Sequence, residues 1–359
     1  MISKQIFAFW PKATVAHYDQ LIKLCGNLDE AFKASEKQLL ELKWQKQVLP
    51  SFLEWRKNAK QIAEKWEEKF IKENISFIVY GEENYPNKIF SEDVYDPPYV
   101  LFIRGNARFI SSALAVVGSR KCTSYGLSAV KELVPEVAKN GVSIISGLAK
   151  GIDSAAHRTA LDAGGYTIAV LGHGLDWADF GLEESRITLG KEIIASGGSI
   201  ISEYLPGTLG ANYTFPARNR IIAGLTKGTL LVEGKMGSGA LITMQCARDY
   251  HREIMVVPHN IFSTTGEGVI DQLKQGAHPI THSKDIFEIL KINPKKQRQL
   301  KINVDPQQNT IIKTLQIEPQ GRDNLARELS LSPASLGVTL TTMELSGFIE
   351  VKNGLYYAL

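Results

Sequence analysis

The chain has 359 residues, of which 44% are hydrophobic and 22% charged, and its net charge is +3. This composition excludes a disordered chain, a collagen and a coiled coil, and the length predicts two or three folded domains. The three cysteines are too far apart for a disulfide framework or a thiolate zinc site, so we expect a reducing compartment and no metal. Because no apolar run matches a membrane helix and the first residues lack a signal-peptide pattern, we expect a cytoplasmic protein with no membrane partner.

Charge is distributed unevenly along the chain. Residues 1–75 carry a net charge of +3, residues 76–290 carry −3 and residues 291–359 carry +3. An anion site in the middle part must therefore be built from local groups. Five of the nine basic residues of the last part lie in residues 291–305, so the tail beyond them is not basic.

Residues 1–75 are predicted to form a helical module, because apolar residues recur at spacings of three and four. Its tryptophans, Trp44, Trp55 and Trp66 among them, are expected to pack in the core rather than stack on nucleobases. Residues 76–106 contain two short apolar runs, 77–80 and 99–103, and connect this module to the next part of the chain.

From residue 114 onwards, β-prone segments begin at intervals of 24 to 32 residues, with helix-compatible segments between them. This rhythm predicts a doubly wound α/β domain with a parallel sheet, which we assign to residues 76–290. Ligands of such sheets bind beyond the carboxyl ends of the strands. The predicted strands are 114–117, 142–145, 167–171, 199–201, 229–232 and 253–257.

The C-terminal part is predicted to be a basic linker, residues 291–305, followed by a winged helix over residues 306–359. Three helical patterns precede an Asn353-Gly354 pair that lies between two β-prone runs, which is a strong hairpin signal. The expected recognition helix, within residues 332–347, contains no lysine or arginine. We therefore expect it to contact protein rather than duplex DNA.

Gly118, Ser119 and Arg120 follow the first predicted strand. Backbone amides in such a turn, the N-terminus of the next helix and a guanidinium can together hold a phosphate. The segment forms either an anion site or a plain tight turn, and the first interpretation is favoured. The segment is neither a dinucleotide fingerprint nor a Walker A loop.

The segment SGLAKGIDSAAH, residues 146–157, follows the second predicted strand, and Gly147 and Gly151 within it permit close approach of a ligand or a second loop. Asp153 and His157 lie one helical turn apart. They form either an acid–base pair or a helix cap with a separate polar contact, and the second interpretation is favoured because no nucleophile or metal cluster accompanies them.

Two further segments are rich in phosphate-binding residue types. FPARNR contains Phe215, Arg218, Asn219 and Arg220, and arginines beside an aromatic ring favour phosphate contacts with base stacking over solvation at the surface. The alternative for one of the two arginines is that it braces the loop. Ser238 and Gly239 precede another helix in VEGKMGSGALIT. With no nucleophile elbow, H-E-x-x-H motif or paired carboxylates in the chain, we expect no catalysis.

Seven segments of the chain resemble, in family order, blocks of the DNA-processing protein family DprA, also called Smf. They are VGSRKCTSYG, SGLAKGIDSAAH, GGYTIAVLGHGLD, SEY, FPARNRIIAGL, VEGKMGSGALIT and QGA. The resemblance implies an extended Rossmann-like domain that binds single-stranded DNA without a nucleotide cofactor. It also implies a homodimer formed through that domain, and transfer of incoming DNA to the recombinase RecA during natural transformation.

The resemblance assigns DNA-binding positions residue by residue and implies a SAM-like or helix-hairpin-helix-like N-terminal module. The chain departs from the family pattern in WADFGLEES, residues 177–185, and at His259, which replaces the glycine of a VPG motif. The implied DNA-binding residues are Gly118, Ser119, Arg120, Ser146, Gly147, Lys150, Gly151, Arg186, Phe215, Arg218, Asn219, Arg220, Ser238 and Gly239.

Two alternative functions belong to other classes. A Rossmann-like nucleotide phosphoribohydrolase would carry a PGGxGT loop and a following glutamate, where this chain has KMGSGALIT. A regulator that binds duplex DNA through its winged helix would need a basic tail domain, which the charge distribution disfavours.

Overall fold

The computed structural model describes residues 1–87, 89–90, 93–176, 183–294, 306–345, 348–352 and 354–358. The chain divides into two compact units, Met1–Asn293 and Pro294–Leu359. Residues 295–305 of the expected linker and residues 177–182 of WADFGLEES lie outside the described residues. Within the described parts, no helix combines the length and the apolar character needed to cross a membrane.

The N-terminal region is helical, as the periodicity predicts. The side chains of Thr14, Asn27 and Ser35 each accept a hydrogen bond from a backbone amide at the start of α2, α3 and α4, which fixes where these helices begin. The helices are α1 Ser3–Phe7, α2 Val15–Cys25, α3 Leu28–Lys33, α4 Glu36–Leu39, α5 Val48–Lys57 and α6 Ala59–Glu73.

Aromatic side chains form much of the core of these helices. Trp55 is buried, and Trp44 and Trp66 are partly buried against the same cluster, so their predicted role in packing is confirmed. The Phe7 ring lies edge-on to Tyr99, with the ring centroids 4.9 Å apart. The core therefore continues from the helices into the sheet, and residues 1–75 share one hydrophobic cluster with the strands that follow.

Nine strands form one sheet among the described residues, in the order β1-β2-β6-β5-β4-β3-β7-β8-β9. From β6 to β9 all neighbours are parallel, whereas β2 is antiparallel to both β1 and β6. The strands are β1 Ser76–Val79, β2 Val100–Gly105, β3 Ala113–Val117, β4 Ser143–Ser146, β5 Thr167–Leu171, β6 Ser199–Ser202, β7 Gly228–Leu231, β8 Glu253–Val256 and β9 His278–Pro279.

Helices cover both faces of this sheet, which confirms the doubly wound Rossmann-like fold. Along β3, Leu114 and Val116 belong to one hydrophobic cluster, whereas Ala113, Ala115 and Val117 belong to another on the opposite face, as the two-residue period of a strand requires. The helices are α7 Ser124–Lys139, α8 Ile152–Asp162, α9 Glu184–Ala195, α10 Thr214–Gly224, α11 Gly239–Asp249, α12 Glu267–Lys274 and α13 Ser283–Ile289.

The C-terminal unit is the predicted winged helix. Its core contains Ile311, Leu325, Leu336, Leu340 and Met343, all buried. Asn353 lies outside the described residues, but the strands on either side of it pair antiparallel as the hairpin signal predicts. The elements are α14 Pro306–Ile317, α15 Arg322–Glu328, α16 Pro333–Leu345, β10 Ile349–Lys352 and β11 Leu355–Ala358.

Candidate functional site

A groove of about 700 Å³ opens beyond the carboxyl ends of β3 and β7. The chain runs outward from β3 through β4 and β5 to β6 and then returns to place β7 on the other side of β3, so the strand order reverses at this point. Such a reversal leaves a crevice in which α/β proteins bind ligands. This main groove is lined by residues 117–121, Ala149, Asp153, Asn212, Phe215, Pro216, Arg218, Asn219, Ile222, residues 235–240 and Thr243.

The Gly118-Ser119-Arg120 turn is held by the loop that follows β4. The amide of Ile152 donates to the carbonyl of Ser119 over 3.2 Å, and the Ser119 hydroxyl accepts from the Lys121 amide over 3.1 Å. Gly151 has φ +85°, and a Cβ there would lie 2.3 Å from the Ser119 carbonyl oxygen. Gly151 therefore allows the two loops to meet backbone to backbone and fixes the turn at the groove wall.

The exposed Arg120 and the half-buried Phe215 form the cationic and aromatic part of the groove. The guanidinium carbon of Arg120 lies 5.7 Å from the centroid of the Phe215 ring, which is cation–π distance. Arg120 is exposed and has no carboxylate at ion-pair distance among the described residues. The pair thus offers a free positive charge beside an aromatic face.

Arg218 is placed beneath the groove surface. Its side chain is 5% exposed and donates to the carbonyls of Gly147, over 2.9 Å, and of Val170. Burial lowers the pKa of Arg218 to about 10, and the charge of Asp153 opposes that shift, so the guanidinium stays charged at neutral pH. Arg218 therefore joins the strand ends and adds positive potential to the groove from below.

Asp153 and His157 make separate contacts. The Asp153 carboxylate accepts hydrogen bonds from the amides of Gly147, over 3.2 Å, and Ala149, over 3.4 Å. Burial raises the pKa of Asp153, although Arg218 and these amides act in the opposite direction. Nδ1 of His157 lies 2.7 Å from the Thr167 hydroxyl, away from the groove lining. The geometry favours the loop-capping interpretation over an acid–base pair.

Arg220 lies outside the groove, contrary to the expectation that both arginines of FPARNR line it. Its guanidinium makes a two-pronged ion pair with Glu203, over 2.8 and 2.7 Å, and a third contact with Asp96 over 3.0 Å. Although burial lowers the pKa of Arg220, these carboxylates raise it more. Arg220 therefore braces α10 instead of facing a ligand.

Ser146 is a second residue that the structure places away from the groove. It is fully buried at the end of β4, and its hydroxyl donates to the Val116 carbonyl over 2.6 Å. This bond ties β3 to β4 and leaves the hydroxyl without access to a ligand. Asn219, in contrast, lines the groove while its amide nitrogen donates to the Gly239 carbonyl over 3.1 Å.

A side pocket of about 230 Å³ adjoins the main groove across Arg120, Phe215 and Arg218, which line both. Gly147, Lys150 and Arg186 lie in its wall. Arg186 donates to the Leu148 carbonyl over 2.7 Å, and Lys150 pairs with Glu183 over 3.1 Å. Arg186, one of the DNA-binding residues that the resemblance implies, thus lines the same pocket as Arg120 and Arg218.

Sequence reasoning missed several residues of the main groove. Lys121 and Lys235 lie on its rim and Asn212 on its wall, and each adjoins a glycine- or arginine-rich segment that was singled out. Ser238 and Gly239 line the same groove at the start of α11, as expected, and the Ser238 hydroxyl has no hydrogen-bond partner among the described residues. The described residues contain no cluster of His, Cys, Asp and Glu that could hold a metal ion.

The fold and the site define a Rossmann-like α/β protein with a cationic, aromatic groove at its strand switch point. Residues 76–291 match the family described as DNA recombination-mediator protein A, and residues 295–354 match the DprA winged helix domain. The chain therefore belongs to the DprA (Smf) family, which confirms the resemblance found in the sequence.

Individual relatives agree with this assignment. The DNA processing protein DprA of Streptococcus pneumoniae (strain ATCC BAA-255 / R6) is 40% identical over 196 residues, which are 54% of this chain and 68% of that protein. The DNA processing protein DprA of Bacillus subtilis (strain 168) is 36% identical over 220 residues, which are 61% and 72% of the two chains.

Two solved structures share the fold. The X-ray structure of DprA from Streptococcus pneumoniae superposes with a TM-score of 0.66 at 27% identity, covering 80% of this chain and 98% of that one. DNA processing protein A from Helicobacter pylori, whose structure addresses its single-stranded DNA binding mode, superposes with a TM-score of 0.52 at 26% identity, covering 60% and 95%.

Proposed function

We propose that this protein binds single-stranded DNA in the main groove and, as a recombination mediator, loads RecA on incoming DNA without catalysing a reaction. The observation that carries the binding step is the free Arg120 guanidinium beside the Phe215 ring at the strand switch point. The Helicobacter pylori relative, which binds single-stranded DNA, supports the choice of polymer.

The groove suits a single strand because its contacts are of two kinds that do not depend on base identity. The amides of the Gly118–Arg120 turn and the Arg120 guanidinium bind phosphate, while Phe215 offers a face on which a base stacks. Arg218 supplies charge from below without moving, since backbone carbonyls already hold it. A duplex would expose phosphates but no unstacked base for Phe215.

Loading of RecA and a homodimer formed through the Rossmann-like domain are the finer parts of the proposal. Membership of the recombination-mediator family supports them. A mediator must hold DNA without closing around it, so that the recombinase can displace it, and the open groove is compatible with such an exchange.

Arg120→Ala tests the binding step. We expect it to weaken binding to an oligothymidylate about tenfold and to reduce the dependence of log K on log salt by about 0.7, because one phosphate contact is lost. Fluorescence anisotropy over a salt series measures both quantities. Arg322→Ala, which removes an exposed arginine of the winged helix, is the matched control and should change neither.

An unchanged affinity in a folded Arg120→Ala variant, or an equal loss in Arg322→Ala, would contradict the proposed groove. The loading step has its own readout, which is the rate of RecA filament formation on DNA already covered by a single-strand-binding protein. We expect the wild type to accelerate this rate and Arg120→Ala to lose most of the effect. No acceleration by the wild type would refute RecA loading and leave DNA binding standing.

A further inference from the structure

Two large apolar side chains protrude together from the loop between β8 and α12. Ile261 and Phe262 are 76% and 87% exposed, and they are neighbours in sequence in this loop, residues 257–266. None of the contacts described above for the main groove uses them. Such a pair on a well-anchored loop is unusual for a surface that only meets water.

The base of this loop is firmly held, and His259 is its anchor. The imidazole packs edge-on to Tyr125, with the ring centroids 4.9 Å apart, and its Nε2 lies 3.6 Å from the buried Glu233 carboxylate. The Tyr125 hydroxyl donates to the Pro258 carbonyl over 2.7 Å. The departure of this chain from the family glycine thus inserts a buried ring that ties the loop to α7 and to the end of β7.

The tip is fixed by its own hydrogen bonds. The Asn260 side chain accepts from the Phe262 amide over 2.9 Å, and the Asn260 carbonyl accepts from the Ser263 amide over 2.9 Å. The two apolar side chains are therefore held out by an ordered turn. A ligand that meets them pays little conformational entropy for their ordering.

The loop is joined directly to the wall of the main groove. The amide of Gly234 donates to the Thr265 carbonyl over 2.8 Å, and the segment that Gly234 begins continues into Lys235 and Met236 on the groove rim. Lys121 and Lys235 on this rim carry no ion pair with any described residue. The loop that carries Phe262 is therefore bonded to the segment that forms the charged rim of the groove.

The occupant that fits this surface is a nucleobase. Two side chains on one loop offer far less than the roughly 800 Å² per partner that a stable dimer interface buries. The exposed Phe262 ring, on a loop bonded to a groove rim that carries unpaired lysines, offers a face on which an unstacked base can stack.

We infer that residues 257–266 form a second stacking platform, on which Phe262 holds a base of the single strand after it leaves the main groove. This inference rests on the proposed function, because the strand must first occupy the groove. The stacking platform adds binding energy only for strands that are longer than the main groove.

The test compares two oligothymidylates, one of about 4 nucleotides that fills the groove and one of about 16 that also reaches the loop. We expect Phe262→Ala to weaken binding of the longer strand by at least fivefold and to leave the shorter unchanged. Ile71→Ala, which truncates a 78% exposed side chain on α6, is the control and should affect neither. In Phe262→Trp, the added indole emission should be quenched by the longer strand only.

Unchanged affinity for the longer strand in Phe262→Ala, or no quenching in Phe262→Trp, would overturn the inference. A Phe262→Ala variant with normal DNA binding but a changed sedimentation coefficient would also overturn the inference. That result would assign the surface to contact with a second protein molecule. If Arg120→Ala also leaves binding of the shorter strand intact, the proposed groove itself fails. If Arg120→Ala weakens DNA binding and Phe262→Ala does not, the proposed groove stands and only the stacking platform is refuted.

Discussion

Lys150 and Glu183 show how a single acidic residue can limit DNA binding. They form an ion pair at 3.1 Å on the wall of the side pocket, with side chains 68% and 55% exposed. Exposed pairs of this kind contribute little to stability, so a phosphate can compete for the lysine. Glu183 belongs to the WADFGLEES departure from the family pattern. Its carboxylate pairs with the Lys150 ammonium, to which a phosphate would otherwise bind.

We predict that Glu183→Gln strengthens binding to single-stranded DNA about threefold and increases its salt dependence, because Lys150 becomes free to release counterions from phosphate. Anisotropy titrations at several salt concentrations measure this. Glu192→Gln is the control, because Glu192 lies on α9, the helix that Glu183 precedes, but pairs with Arg158. If Glu183→Gln has the same effect in a Lys150→Ala background, the two residues do not act through their pair.

Arg218 and Arg220 are two residues apart in α10 and have different roles. Residues i and i+2 of a helix lie about 200° apart around its axis. Arg218 therefore faces the strand ends, whereas Arg220 faces Glu203. We predict that Arg220→Gln lowers the free energy of unfolding by about 2 kcal/mol, as expected when one partner of a partly buried pair is removed. The DNA affinity of the folded variant should stay at the wild-type value.

Urea denaturation and anisotropy separate these two effects. Glu203→Gln should reproduce the stability loss of Arg220→Gln, whereas Arg218→Gln should lose affinity as well as stability. Weaker DNA binding by a fully folded Arg220→Gln protein would return this residue to the interface.

At the scale of elements, helix α8 places the titratable side chain of His157 in the core. Burial lowers the pKa of His157 to about 3, and the charge of Arg218 acts in the same direction. The unfolded chain takes up a proton near pH 6.5 that the folded chain does not. Stability is therefore complete above pH 6.5 and falls as the pH drops toward 3.

We predict that this group alone reduces the free energy of unfolding by about 1.4 kcal/mol per pH unit between pH 6 and pH 4. His157→Leu, which fills similar space without a titratable group, should show a shallower decline over the same range. Urea midpoints measured at several pH values test this. Parallel pH profiles for the two proteins would show that His157 does not titrate on unfolding.

The strands could be predicted from the sequence wherever local pattern decides them. The segments predicted for β3 to β8 agree with the structure to within one residue at each end, because buried parallel strands are short apolar runs between glycine-rich turns. The runs at 77–80 and 99–103 predict only a connecting region. Their membership in the sheet depends on β2 pairing with β6, about a hundred residues later.

The site was predictable to a similar degree. Glycine turns at strand ends identify Gly118 and Gly151, but their mutual contact depends on strand order. The residue types of FPARNR predict phosphate contacts for both arginines, whereas its helical geometry in α10 separates Arg218 from Arg220. His259 departs from the family pattern, yet the sequence does not reveal that its ring is buried against Tyr125.

At the scale of the whole molecule, the winged helix is a compact unit with its own core. Its helix α16 has no lysine or arginine. The hydroxyls of Thr339, Thr341 and Thr342 donate to carbonyls four residues earlier, over 3.1, 3.0 and 2.9 Å. These hydroxyls are therefore satisfied within the helix and offer few donors to phosphates or bases.

We predict that residues 306–359 alone do not bind duplex DNA measurably at physiological salt, because the counterion release that drives such binding needs several basic contacts. Truncation after Lys301 should change single-strand affinity by less than about twofold, since the five basic residues between Lys291 and Lys301 remain. Truncation after Asn293 removes four of these basic residues and should weaken single-strand binding more than truncation after Lys301 does. A micromolar, salt-sensitive dissociation constant of the isolated unit on duplex DNA would instead assign part of the DNA site to the winged helix.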